Sequence, residues 1–284
     1  MTGDRACEVC GSREHLNLYA VDGWPVVRCV RCGLVFVATV PSAEQLIALY
    51  DASYYEDASQ PGYGGYAAAE QRKRHHDRTL LDQIEAMGRR GDMLEIGCAY
   101  GYFLDEARRR GWRVRDVEPS EHAVRHATQE LGLDVSCTAF TDLPTEPEVL
   151  DAFTLWDVIE HLPNPRQTVK HAHAWLRPGG MLALSTGDAA SLTARLHGVD
   201  WSLMTPPWHQ FYFSRPTMRR LLEGAGFEIV RFGGDGNIAV DRSSRRPRVP
   251  GAIAGLLGTQ VVMSALRRLG AGGIMFAYAR KVAA

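Results

Sequence analysis

The sequence predicts an α/β fold in which a mostly parallel sheet carries helices on both faces, with a small cysteine-built unit ahead of it. Three observations predict it. From residue 92 onward, short apolar runs alternate with stretches of helical periodicity. The first of those runs ends in a glycine-rich turn, EIGCAYG (95–101), that leads into a helical stretch. Four cysteines fall within the first 32 residues as C-x2-C-x18-C-x2-C.

Bulk composition is that of an ordinary folded chain. Its 284 residues suit one large domain with an appendage, or two modest domains. Apolar content of 45% and charged content of 23% supply a sizeable core. A formal net charge of −1 argues against nucleic acid or an anionic membrane as partner. The opening MTGDRACEVC lacks the apolar core of a signal peptide, and GAIAGLLGTQVVMSALRRLG (251–270) is interrupted by Gly, Thr, Gln and an Arg pair. A cytoplasmic chain with no membrane span is therefore expected.

Residues 1–40 read as a compact unit of strands and turns around the cysteines. Residues 41–90 read as a helical connector and lid. It holds a polar helix at about 42–50, the loop SYYEDASQPGYGGY (53–66), and a helix from Ala67 to Met87. Residues 91–284 read as the main domain, with strands at about 92–97, 112–117, 151–156 and 180–186. Helices fall between them at about 101–110, 120–131, 164–176 and 214–225. Ser214 is placed as the N-cap of the last of these, with Pro216 in the first turn. Met218, Leu221, Leu222 and Ala225 share its apolar face, and Gly226 marks its end. FEIVRF (227–232) and IMFAYAR (274–280) supply further strands. Between them lies a late helical insertion at about 241–270, entered through the basic connector DRSSRRPRVP.

A strand, a glycine-rich turn and a helix N-terminus make a nucleotide-binding corner. A Walker loop needs G-x-x-x-x-G-K-[ST], and this region has no lysine. A dinucleotide fingerprint needs G-x-G-x-x-G, yet from Gly97 the third and sixth positions are Ala99 and Tyr102. Both phosphate readings fail on spacing.

What remains is acidic-x-Gly-x-small-x-Gly: Glu95, Gly97, Ala99 and Gly101. This pattern resembles the first motif of class I S-adenosylmethionine-dependent methyltransferases, whose ligand carries no diphosphate. Their Rossmann-like, mostly parallel seven-stranded sheet is what the resemblance implies here. The methyl group of Ala99 is expected to fit if its φ stays negative. Glu118 lies 17 residues after Gly101, where the resemblance implies a carboxylate accepting both ribose hydroxyls. FTDLP (140–144) puts Asp142 at the adenine amino group by the same resemblance. FTLWDVIEHLPNP (153–165) resembles the family's fourth-strand segment and sets Trp156 beside the cofactor. LRPGGMLALST (176–186) resembles its helix–turn–strand segment. Tyr63 and Tyr66 read as lid residues, Tyr66 over the cofactor, or as packing between the first unit and the sheet.

Cys7, Cys10, Cys29 and Cys32 form two knuckles separated by a stretch that can return as a hairpin. Four thiolates suit a closed tetrahedral, structural zinc site. A unit of about 40 residues builds little core of its own, so the metal would supply its stability. A zinc ribbon ahead of this fold resembles the small-molecule methyltransferases of natural-product and sugar biosynthesis. A small-molecule acceptor is the partner this implies.

Methyl transfer needs a positioned acceptor and a proton sink. His209 in PPWHQFYFS resembles the His-x-x-x-x-Ser stretch of zinc-ribbon C-methyltransferases, in which the His serves as base. His161 in WDVIEHLP follows the fourth strand and is the second candidate. Trp201, Trp208, Phe211 and Tyr212 suggest an apolar or planar acceptor, and are equally good core material. An RNA methyltransferase gripping a stem-loop through its ribbon is the rival reading. A binding module that has lost catalysis is another, and the intact Glu95, Gly97, Gly101 and Glu118 argue against it. O-, N- or C-methylation and oligomeric state are not legible in the residues.

Overall fold

The cysteine unit comes first in the chain. In a computed structural model of the chain, which describes residues 5–41, 45, 69–138, 140, 147–234 and 273–282, β1 (His15–Val21) and β2 (Trp24–Cys29) make the expected hairpin. β3 (Val35–Val37) then pairs antiparallel with β2. The two knuckles repeat one backbone pattern: Gly11 N–H donates to Cys7 O at 2.8 Å, and Gly33 N–H to Cys29 O at 2.9 Å.

Helix α1 (Glu70–Met87) leads into the main sheet and buries Leu80, Leu81 and Ile84 against Met93, Met181 and Phe276. Arg74 ties α1 to the next helix by donating to Asp105 Oδ2 at 2.8 Å and Glu106 Oε1 at 3.1 Å. The alternation then runs β4 (Asp92–Ile96), α2 (Tyr102–Arg109), β5 (Arg113–Val117), α3 (Glu121–Gln129) and a two-residue β6 (Val135–Ser136). It continues through β7 (Leu150–Trp156), α4 (Pro165–Trp175), β8 (Leu176–Gly187) and the short α5 (Leu192–His197). After β9 (Phe211–Tyr212) come α6 (Arg215–Glu223), β10 (Phe227–Gly234) and β11 (Ile274–Lys281). Every strand and helix expected between residues 67 and 234 is present. β6, β9 and α5 are too short to show a period.

Strand order in the large sheet is β10-β11-β8-β7-β4-β5-β6, with β11 antiparallel to both neighbours and the other six strands running in one direction. β7 and β8 are apolar without alternation because helices cover both faces. On one face α4 and α6 press Val169, Trp175, Met218 and Leu222 onto Leu94, Phe153 and Leu182. The chain leaves β4 toward β5 on one side and enters β7 on the other. A crevice therefore opens at their carboxyl ends, the usual ligand position in such sheets.

α6 begins as expected at Ser214, whose N–H donates to Thr217 Oγ1 at 2.8 Å. Of the helix expected at 42–50 only Gln45 is described, as helical. Tyr63, Tyr66, Asp142, the connector at 241–250 and the helix near 251–269 lie outside the described residues. No helix among the described residues is long and apolar enough to cross a membrane.

The expected separation of the first 40 residues from the sheet meets one structural fact. β9, contributed from residue 211, is the fourth strand of the cysteine unit's own sheet, with Val35 opposite Tyr212 and Phe36 opposite Phe211. Cys7, Cys29, Leu34 and Phe36 share one apolar cluster with Phe153, Leu182 and Phe211. Trp201 and Tyr212 pack against Val26 and Val37 in another. Three of the four aromatics that suggested an acceptor pocket, Trp201, Phe211 and Tyr212, are thus core between the two sheets.

Candidate active site

The glycine turn closes the carboxyl end of β4. Gly97 has φ +77°, and a Cβ there would stand 2.9 Å from Val158 Cγ2. Gly101 has φ +82° and N-caps α2, where a Cβ would meet Leu133 Cδ1 at 2.5 Å. Ala99 corrects the expectation made for it: its φ is +51°, not negative. An L-residue there carries roughly 1–2 kcal/mol of steric cost. The turn needs that conformation to aim the Ala99 N–H at Glu118 Oε2, 3.1 Å away. Glu118 Oε1 accepts from Ser120 N–H at 2.9 Å, so one buried carboxylate links the turn to the start of α3.

A cavity of about 270 Å³ lies against this turn and gathers Glu95, Gly97, Ala99 and Trp156 from the expected cofactor residues. Gly101 stands behind it, against Ala127 and Leu133. Glu95 Oε2 and the Trp156 indole N–H are buried without a hydrogen-bond partner among the described residues. An unmet acceptor and an unmet donor in one cavity fit a polar ligand such as the amino-acid part of S-adenosylmethionine. Burial, reinforced by Asp116, Asp77 and Glu118, holds the Glu95 carboxyl well above the usual range.

Sequence reading missed Lys73 and Asp77 of α1, and Asp157 and Ser185, all of which line the cavity. Burial lowers the Lys73 ammonium against the pull of Asp77, Asp157 and Glu95, and raises Asp77 to about 7. Asp157 was legible in part, as the acid that follows strand β7. It sits at φ +55°, held by Ser185, whose hydroxyl donates to its Oδ1 at 2.7 Å and accepts its N–H at 2.9 Å. Lys73 and Asp77 carried no signal, because only the docking of α1 brings them to the crevice.

His161 and His209, 48 residues apart in sequence, are edge to face with ring centroids 4.7 Å apart. Each Nδ1 is 2.7 Å from a backbone carbonyl, Trp208 O for His161 and Leu203 O for His209. That contact assigns the proton to Nδ1 and the lone pair to Nε2 in both neutral rings. Burial pushes His161 down to about 3, with His209 adding to the effect. His209 is lowered by burial too, but the Leu203 carbonyl and Asp157 oppose it. Asp157 thus connects the cavity electrostatically to the pair, and His209 is the stronger base. Glu160 joins them: one donor atom from each of Glu160, His161 and His209 lies within 4.8 Å of the others. Two imidazoles and a carboxylate at that spacing suit either proton handling or a divalent cation. Burial, then Asp157, raises Glu160 to about 8.

The four cysteine sulfurs lie within 4.8 Å of one another, with Cys7 Sγ 3.4 Å from Cys32 Sγ and Cys10 Sγ 3.5 Å from Cys29 Sγ. A tetrahedron with Zn–S of about 2.3 Å has edges near 3.8 Å. The donor set therefore fits zinc, and Cys98 and Cys137 stand outside it.

This strand order, with a crevice at the glycine turn and a carboxylate beyond the second parallel strand, defines a Rossmann-like protein that binds a nucleoside-type ligand. Residues 68–231 match the family model of the methyltransferase domain, and the chain belongs to the S-adenosylmethionine-dependent methyltransferases. It is 25% identical over 154 residues to a ubiquinone biosynthesis O-methyltransferase of Idiomarina loihiensis, covering 50% of this chain and 63% of that protein. The chain spans about half to two thirds of the length of the first curated relatives it matches. In fold it resembles an S-adenosylmethionine-dependent methyltransferase of Archaeoglobus fulgidus, with TM-score 0.55 and 16% identity over 76% of this chain and 99% of that one. It also resembles the geranyl diphosphate C-methyltransferase of Streptomyces coelicolor, with TM-score 0.53 and 15% identity over 82% and 90%.

Proposed function

We propose that this chain transfers a methyl group from S-adenosylmethionine to a small-molecule nucleophile of a biosynthetic pathway, with His209 taking up the acceptor's proton. The observation that carries the reading is the junction at Asp157, which lines the cofactor cavity and offsets in part the lowering of His209 by burial. Bound in the crevice, S-adenosylmethionine supplies a sulfonium-bound methyl carbon open to in-line attack. Glu118 accepts the ribose hydroxyls while keeping the turn in place, and Asp142 receives the adenine amino group. Glu95 and Trp156 meet the amino-acid part, and the family resemblance assigns Tyr66 to the cofactor as well. With the methyl group supplied by the bound cofactor, His209 Nε2 would take up the proton that the acceptor atom gives up. Cys7, Cys10, Cys29 and Cys32 hold one structural zinc.

The small-molecule reading draws on the ubiquinone-pathway and geranyl diphosphate relatives, which differ in whether oxygen or carbon is methylated. The test is transfer of labelled methyl from S-adenosylmethionine to a panel of phenols, prenyl diphosphates and nucleotide sugars, with structured RNA as comparison. Labelling of RNA alone moves the function to the RNA rival. Binding of NAD without binding of S-adenosylmethionine sinks the cofactor assignment.

A further inference from the structure

Gln210 joins the cysteine unit to the segments that carry the two histidines. Gln210 is fully buried, and all four of its polar groups are engaged. Two face the cysteine unit: its backbone O accepts from Val37 N–H of β3 at 2.9 Å, and its Oε1 accepts from Arg5 Nη2 at 3.1 Å. Two face the histidine loop: its backbone N–H donates to Glu160 O at 2.9 Å, and its Nε2 donates to His161 O at 2.9 Å. An arginine only donates, so the amide orientation is set by chemistry.

Arg5 is as deeply engaged. It also donates to Val37 O at 3.3 Å and Pro163 O at 2.9 Å, and its guanidinium lies 4.3 Å from the centre of the Phe211 ring. From the other side, Arg166 of α4 donates to Glu8 O at 2.7 Å and Cys7 O at 3.3 Å, on the first knuckle itself. The segments holding the two histidines, 160–163 and 209–212, are thus both fastened to the cysteine unit, and Gln210 fastens them to each other.

From this we infer that the cysteine unit is an internal scaffold for the proton-accepting pair, with Gln210 and Arg5 as positioning residues. The inference rests on the reading of His209 and His161 as that pair. Neither positioning residue touches the acceptor. They act by fixing the backbone of 160–163 and 209–211, from which the two imidazoles project. His209 follows an irregular stretch and precedes the two-residue β9, whose pairing with β3 ties it to the cysteine unit. A ring displaced by 1 Å loses about 10²-fold in rate.

The experiment uses the full zinc-loaded chain and the variants Gln210→Leu and Arg5→Met. Side-chain nitrogen spectra of the histidines report the tautomer and environment of His161 and His209. Calorimetry reports affinity for S-adenosylmethionine, and elemental analysis reports zinc. The expected result is unchanged zinc content and cofactor affinity, altered His161 and His209 signals, and kcat lower by about 10²-fold with KM for the cofactor unchanged. Unaltered histidine signals in both variants overturn the scaffold. Altered signals with unchanged kcat keep the scaffold and instead overturn the role of the pair in proton transfer. Should Gln210→Leu not fold, Arg5→Met carries the same comparison, and Cys29→Ser is left out because it threatens folding directly.

Discussion

Ala99 donates its backbone N–H to Glu118 Oε2 at 3.1 Å, and it does so from a left-handed backbone with φ +51°. A residue with a methyl group thus occupies a conformation that glycine adopts freely, at the point where the two halves of the cofactor site are joined.

Ala99→Gly should therefore stabilise the chain by about 1 kcal/mol, the relief of left-handed strain less the added freedom of the unfolded chain. Urea denaturation at fixed zinc measures it. A midpoint below that of the parent chain contradicts the strain.

Glu118→Ala removes the acceptor of two backbone N–H groups and the proposed ribose contact. Each lost charge-assisted bond is worth about 1.5–3 kcal/mol, so cofactor affinity should fall at least tenfold. Calorimetry reads this directly, and unchanged affinity would place the ribose elsewhere.

His209→Ala should lower turnover by about 10²–10⁴-fold while leaving cofactor affinity near that of the parent. His161, held near 3 by burial, is the weaker base, and His161→Ala should act less on rate. A greater loss in His161→Ala exchanges the two roles. Burial lowers His209 from its ordinary 6.5, so the acid limb of the pH–rate profile should bend below pH 6.5 and stay flat above it. A bend above that value contradicts a buried neutral base.

Asp77 offers a stability test with a definite sign. Burial raises it from 3.8 to about 7, so between those values the folded state holds a proton that the unfolded state has released. Stability from this group is full below pH 3.8, falls as pH rises, and levels near 7. Asp77→Asn should flatten that slope and raise stability at neutral pH. A steeper slope in the variant refutes the shift.

Elemental analysis should find one zinc per chain, lost in Cys29→Ser together with solubility. A second metal equivalent that disappears in His209→Ala would reassign Glu160, His161 and His209 as ligands.

Much was legible from residues alone. The longer strands and helices of 92–234 were, because continuous apolar runs and helical faces are local consequences of burial on both sides of a sheet. Gly97 and Gly101 were, because a strand–turn–helix corner restricts backbone at fixed offsets, and the carboxylate at 118 was through the family resemblance. So was the four-cysteine set, since ligand spacing is written in the chain. The conformation of Ala99 was not, since its φ follows from the pull of Glu118 across two strands.

What tertiary structure decided is how the separate stretches meet. Lys73 and Asp77 enter the cavity only because α1 docks at the crevice. His161 and His209 become a pair only because the chain returns after β8. Phe211 and Tyr212 read equally well as acceptor pocket or core until β9 joins the cysteine unit's sheet. Their period of two is too short to see, and their partner strand lies about 175 residues earlier. Local pattern therefore determined the elements and the ligand class. The long-range pairing of β3 with β9, which no local pattern encodes, decided that the cysteine unit and the histidines form one structure.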